Sequence, residues 1–135
     1  MALNKAFNQY KENSIYTSSP EELTLMLYNG LVRFIMQGQL AIDENNMEKA
    51  NNSIIRAQDI ILEFQHTLDM KFELSNSLAM IYDYMYRRLI EANIKKEKEI
   101  LDEVLNFAKE LRDTWTQAIK LSKHAGNVQA IPVLL

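Results

Sequence analysis

Between Leu23 and Ile42 the chain carries one formal charge, Arg33, in a stretch otherwise made of apolar and uncharged polar residues. The stretch follows Ser19-Pro20-Glu21-Glu22, a strong helix start. A hydroxyl N-cap precedes a proline at the first helical position, and Glu22 stands where a carboxylate can reach back to the Ser19 amide and complete a capping box. A surface helix normally has an apolar stripe and a charged face, so a helix apolar on most sides needs cover on most sides. In a short chain that cover comes from the centre of a bundle or from a second molecule. The pattern therefore predicts either a central bundle helix or a docking surface.

Punctuation is sparse: 2 prolines and 3 glycines in 135 residues, which predicts long helices with short joints. Helix one is expected over 20–43, with Glu44-Asn45-Asn46 as the turn. Helix two is expected over 47–68, where Ala50, Ile54, Ala57, Ile61, Phe64 and Leu68 alternate spacings of four and three, and Ile55 and Leu62 form a flanking row. Asp69-Met70-Lys71 is the next joint. Helix three, over 72–93, repeats the spacing with Leu74, Leu78, Ile81, Met85, Leu89 and Ala92. Helix four, over 96–125, does so with Leu101, Val104, Ala108, Leu111, Trp115 and Ala118, and Gly126 is a suitable stop. Short connections between long helices favour antiparallel neighbours. The expected fold is all-α, an antiparallel up-down four-helix bundle over 19–126. A flexible N-terminal arm over 1–18 and an apolar C-terminal tail over 127–135 flank it.

Composition removes several functions. A net charge of −3 and interspersed charges, as in Lys95-Lys96-Glu97-Lys98-Glu99, give no basic footprint for nucleic acid. With no cysteine there is no disulfide framework and no thiolate chemistry. The first residues lack the basic-then-apolar order of a signal peptide. The Leu23–Ile42 run contains Arg33, Asn29, Gln37 and Gln39, and a central arginine alone costs about 2.5–3.5 kcal/mol on insertion into a bilayer. The expectation is a cytoplasmic chain without membrane insertion.

Candidate chemistry is equally thin. Glu63-Phe64-Gln65-His66 has the Glu-x-x-His spacing of half a di-iron site, but the only other histidine, His124, has Leu121 at the matching position. Helix one offers no acid between Glu22 and Asp43 to complete such a site. Neither histidine has a nucleophile signature beside it, and Gly30, Gly38 and Gly126 form no phosphate loop. No enzyme and no cofactor are expected.

What remains points to binding. Gly30 and Gly38 each weaken a helix by about 1 kcal/mol relative to alanine, so each needs a close neighbour, whether a sister helix or a foreign peptide. Tyr82, Tyr84 and Tyr86, followed by Arg87-Arg88, cannot all point inward at steps of two; they either form an interface or pack at the bundle edge with wet hydroxyls. Met26, Met36, Met80 and Met85 add adaptable apolar area or core filling. An apolar helical segment laid between helices would use such surface. The alternative is a structural helical protein that forms a homodimer through its excess apolar surface. The tail contains Ile131, Val133, Leu134 and Leu135. Exposed together they would invite aggregation, so the tail or the arm could occupy a partner groove; equally, it could be an unanchored end.

Three segments carry a resemblance. They are Tyr10 with Ile15-Tyr16-Thr17-Ser18-Ser19-Pro20-Glu21-Glu22-Leu23 and Leu25-Met26-Leu27-Tyr28-Asn29-Gly30; Tyr82-Asp83-Tyr84-Met85-Tyr86-Arg87-Arg88-Leu89-Ile90-Glu91-Ala92-Asn93; and Leu111-Arg112-Asp113-Thr114-Trp115. In this order, over roughly 7–118, the chain resembles the flagellin-specific secretion chaperones of the FliS family. The resemblance implies a cytoplasmic partner of the flagellin C-terminal region that keeps it unpolymerised and hands it to the export gate of the flagellar secretion system. It places Tyr10, Ile15 and the helix-one motif at the flagellin-contacting end. The candidate partner-binding residues are Tyr10, Ile15, Tyr16, Leu25, Tyr28, Val32, Tyr82, Met85, Tyr86 and Leu89.

Overall fold

The structure, a computed structural model, describes residues 19–125. The arm over 1–18, with Tyr10, Ile15 and Tyr16, and the tail over 127–135 lie outside the described residues, as does Gly126. Four helices follow one another: α1 (Pro20–Asp43), α2 (Met47–Thr67), α3 (Leu74–Lys95) and α4 (Lys98–Ala125). Each packs on its two neighbours in a closed ring, α1 on α2 and α4, α3 on α2 and α4. This is the up-down bundle that the short joints require.

The ends of the helices show how the sequence sets the joints. The Ser19 hydroxyl accepts from the Glu22 amide at 3.3 Å; the Glu22 side chain is exposed and makes no reciprocal bond, so half of the expected capping box forms. Asn45 sits in the left-handed region at φ 57°, and the amides of Asn45 and Asn46 return to the carbonyls of Ile42 and Ala41. These two bonds satisfy the last carbonyls of α1 with asparagine, which tolerates that backbone, in the place usually held by glycine. Asn46 then caps α2 by accepting from the Lys49 amide at 3.1 Å. The α2–α3 joint runs longer than its three expected residues. Asp69 accepts from the Lys71 amide, the buried Ser75 hydroxyl donates to the Asp69 carbonyl, and α3 starts at Leu74, the first residue of its apolar spacing and two residues after the expected bound.

Helix one resolves as a bundle helix. Ten of its residues are buried, including Leu27, Tyr28, Leu31, Phe34 and Ile35. Both glycines serve sister helices: a Cβ at Gly30 would stand 3.4 Å from Ile60 of α2, and one at Gly38 would stand 3.2 Å from Ile54 of α2 and 3.5 Å from Leu101 of α4. The seam expected for α2 is buried at every position, from Ala50 to Leu68. In α3 the seam is shifted. Met85, Leu89 and Ala92 are fully buried, Leu74 at the start of the helix is exposed, Leu78 and Ile81 are half-buried, and Tyr82 beside Ile81 is enclosed. The reason is polar: the Tyr82 hydroxyl meets the Tyr28 hydroxyl at 2.6 Å across the bundle, with the Phe64 ring packed 4.5 Å from Tyr28 and 5.5 Å from Tyr82. A tyrosine is admitted to a core when its hydroxyl finds a partner there.

Candidate functional site

Polar side chains cross the seams between neighbouring helices to different extents. Between α1 and α2 the glycines bring the helices together, and the guanidinium groups of Arg33 and Arg56 lie 5.9 and 5.8 Å from the Phe34 ring. Between α1 and α4, the Gln39 amide donates to Asp102 at 2.6 Å, Lys98 pairs with Asp43 at 2.7 Å, and the Trp115 indole donates to the Glu21 carbonyl at 2.9 Å. Between α3 and α4, Glu103 accepts from Arg88 at 2.8 Å and from the Tyr84 hydroxyl at 2.9 Å. Arg88 foremost, and also Tyr84, hold the Glu103 carboxyl below its ordinary value. Arg88 also pairs with Glu91, which Lys95 and Arg88 together hold low.

The fourth seam, between α2 and α3, differs. Asn93 donates to Asn51 at 2.8 Å, and this bond fixes which sides of the two helices face each other. Ile55, Gln58 and Leu62 follow Asn51 at spacings of four, three and four, on the same side of α2. Ile90 and Tyr86 precede Asn93 by three and seven, and Ile94 follows Ile90 by four. The antiparallel register puts Ile55 across from Ile90, and Leu62 across from the turn between Ala79 and Tyr86. The result is an aliphatic rim: Ile55 is 41% exposed, Leu62 43% and Ile94 78%, while Tyr86 and Ala79 are half-buried against the core. From Ala79 to Ile94 the strip is about 22 Å long. It matches about four turns of a ligand helix presenting apolar residues at spacings of three, four and seven.

Against this geometry the sequence candidates divide. Tyr28, Val32, Tyr82, Met85 and Leu89 are buried among other core side chains. They occupy the inward seams, so in the closed bundle they shape the walls from beneath and offer no surface. Leu25 and Tyr86 are half-buried at the edge of the core. Of these, Tyr86 belongs to the α2–α3 rim, and Leu25 lies on α1, away from it. The tyrosine cluster spreads as its spacing requires: Tyr82 is enclosed, whereas Tyr84 and Tyr86 are half-buried. The hydroxyl of Tyr82 is bonded to Tyr28 and that of Tyr84 to Glu103. Ile55, Leu62, Ile90 and Ile94, which edge this rim, are not among the candidates read from the sequence. Ile55 and Leu62 were visible as a row beside the main seam, but a flanking row packs inward or outward depending on how far apart two helices stand.

The described residues hold no group of three histidine, aspartate or glutamate side chains placed to share a metal ion. No described helix is long and apolar enough to cross a membrane.

Comparison with known proteins gives a consistent result. The model of the family described as "Flagellar protein FliS" matches residues 3–122. The flagellar secretion chaperone FliS of Bacillus subtilis (strain 168) is 47% identical over 120 residues, covering 89% of this chain and 90% of that protein. The chaperone of the same name from Campylobacter jejuni is 30% identical, over 87% of this chain and 93% of its own length. A crystal structure of a bacterial flagellar chaperone superimposes with a TM-score of 0.70 at 19% identity, covering 86% of this chain and 96% of the other, and so shares the fold. The relatives are named for chaperoning, an activity of binding and not of catalysis.

Proposed function

Because this chain belongs to the FliS family of flagellar secretion chaperones, we propose that it binds the C-terminal region of flagellin, with the α2–α3 rim as the main docking groove. The observation that carries this reading is the apolar rim of the α2–α3 seam, where Ile55, Leu62, Ile90 and Ile94 are exposed beside half-buried Tyr86, with the Asn93–Asn51 hydrogen bond crossing at one end. An otherwise disordered segment gains apolar burial there by becoming helical, and a segment so held is not available to polymerise. Binding would take place in the cytoplasm and end with delivery to the export gate. Tyr10, Ile15 and Tyr16 of the arm, with Leu25, add contacts at the α1 end of the bundle. Tyr28, Val32, Tyr82, Met85 and Leu89 support the groove from within.

Titration calorimetry with a flagellin C-terminal peptide tests the reading. Leu62→Asp and Ile90→Asp each remove an apolar contact worth about 1.5–3 kcal/mol, so each should weaken binding by about 10-fold or more. Helix content should be retained, with at most a modest fall in Tm, since Leu62 and Ile90 are 43% and 37% exposed. Tyr10→Ala and Ile15→Ala should also weaken binding with helix content intact. The wild-type reaction should show a negative heat-capacity change. Undiminished affinity in both groove variants would remove the α2–α3 site from consideration.

A further inference from the structure

At the end of the bundle where α3 begins, apolar side chains aimed inward are left uncovered. Leu74 and Leu78 continue, toward the start of α3, the spacing by which Ile81, Met85 and Leu89 line its inner side. Yet Leu74 is 58% exposed, and Leu78 and Ile81 are only half-buried. The facing wall belongs to α4. Leu121 follows Glu103 by about five full turns, so it stands on the side from which Glu103 reaches Tyr84 and Arg88 of α3. It is 69% exposed, and Leu111 and Ala118, next to that line, are half-buried. The rings of Tyr84 and Phe107, 5.9 Å apart, set an antiparallel register that brings Leu74 level with the turn around Ala118. Among the described residues every hydrogen bond and ion pair between α3 and α4 ends on Glu103. From Tyr84 to the start of α3 the two helices therefore border an apolar trough.

We infer that this trough is the docking site of the chain's own C-terminal segment, residues 127–135, folded back along α4. The described structure ends at Ala125, on the helix that forms one wall, and ten residues follow. None of them has a charged side chain. Gly126 allows the chain to reverse, because glycine takes the left-handed backbone that ends helices. Pro132 keeps the segment from prolonging α4 and favours extended backbone at itself and at Ile131. In such backbone Ile131, Val133 and Leu135 share one side, which faces the trough. Extended, 127–135 spans about 30 Å, and the return from Ala125 to Leu111 along α4 takes about 21 Å. The reach is sufficient. The N-terminal arm has a poorer path, since it joins α1, diagonal to α3 in the ring. Docking removes two apolar surfaces from water together. The contact lies within one chain, needs no ligand and leaves the α2–α3 rim open, so it does not rest on the flagellin reading.

A nitroxide label at position 130 tests the inference. The chain has no cysteine, so Ala130→Cys supplies a single attachment point on the outward side of the docked segment. Backbone amide signals of the isotope-labelled full chain are then compared with the label oxidised and reduced. The amides of Leu74, Leu78 and Ile81 should lose intensity, and those of Ile55 and Ile90 should keep it. The loss should persist when the labelled chain is diluted into an excess of unlabelled wild type. It should vanish in Leu121→Lys, which alters the wall, and in Ile131→Asp, which alters the segment and leaves the bundle untouched. Loss confined to the end of α4 would mean an unanchored segment. Loss strongest at Ile55 and Ile90 would place the segment on the other rim, and loss that disappears on dilution would assign the contact to a second copy. Each of these results, or a loss on α3 indifferent to both substitutions, would overturn the assignment.

Discussion

Replacing Tyr82 by phenylalanine removes one oxygen and leaves another stranded. The Tyr28 and Tyr82 hydroxyls bond only to each other, at 2.6 Å, between helices diagonal in the ring, and their side chains are 2% and 0% exposed. A buried donor left without a partner costs about 1–3 kcal/mol, whereas removing both partners together is nearly neutral. Tyr82→Phe and Tyr28→Phe should therefore each lower the unfolding free energy by about 1–3 kcal/mol, or roughly 4 °C in Tm per kcal/mol for a domain of this size. The double variant should lie close to wild type. Urea denaturation followed by circular dichroism, run as a double-mutant cycle, measures the coupling, expected to equal the sum of the two single losses, about 2–6 kcal/mol. Additive losses would show that each hydroxyl reaches water separately, and the account of why α3 turns Tyr82 into the core would fail. The same pair sets an alkaline limit. Burial pushes the Tyr28 phenol up to about 12, against the opposing effect of its bond to Tyr82, and burial also raises Tyr82. The unfolded chain ionises these groups near 10, so stability is full below that pH and declines as pH rises from about 10 towards 12. The decline should be smaller in the double phenylalanine variant, which keeps only the share of Tyr84, raised by its bond to Glu103, and of the paired lysines.

Gly38→Ala should destabilise, because its Cβ would press within 3.2 Å of Ile54 in a helix gripped from two sides; Gly30→Ala, meeting Ile60 at 3.4 Å, should be neutral or stabilising by up to about 1 kcal/mol, and thermal melts of the two should separate them. Lys96→Gly should raise stability by about 1 kcal/mol in urea titration, since Lys96 ends α3 at φ 53°, where a side chain is strained and glycine is not. Trp115→Phe should cost about 1 kcal/mol through the lost indole bond to the Glu21 carbonyl; in the wild type the same tryptophan, 5% exposed and the only one in the chain, should emit at short wavelength and shift red when the α1–α4 contact opens.

Helix extents and the identity of the fold were legible because they follow from local chemistry. Ser19-Pro20 starts a helix wherever it is placed, Glu44-Asn45-Asn46 stops one, and the regular alternation of Ala50 to Leu68 has one inward side whatever packs against it. The family, too, was carried by short segments in order along the chain. Tertiary structure decided which surface is left over. The apolar excess of α1 read as either a central bundle helix or a docking face, and the packing of α2 and α4 over most of it decides for the first. Tyr28, Val32, Tyr82, Met85 and Leu89, chosen as contacts for their size and chemistry, are interior. That Tyr82 is enclosed while its neighbour Ile81, expected in the seam, is only half-buried depends on a hydroxyl fifty-four positions away in sequence, on Tyr28. The open rim of Ile55, Leu62, Ile90 and Ile94 belongs to two helices at once. Its exposure depends on the spacing and register of α2 against α3, fixed by contacts such as Asn51 with Asn93, and periodicity along one helix carries no information about the distance to the next.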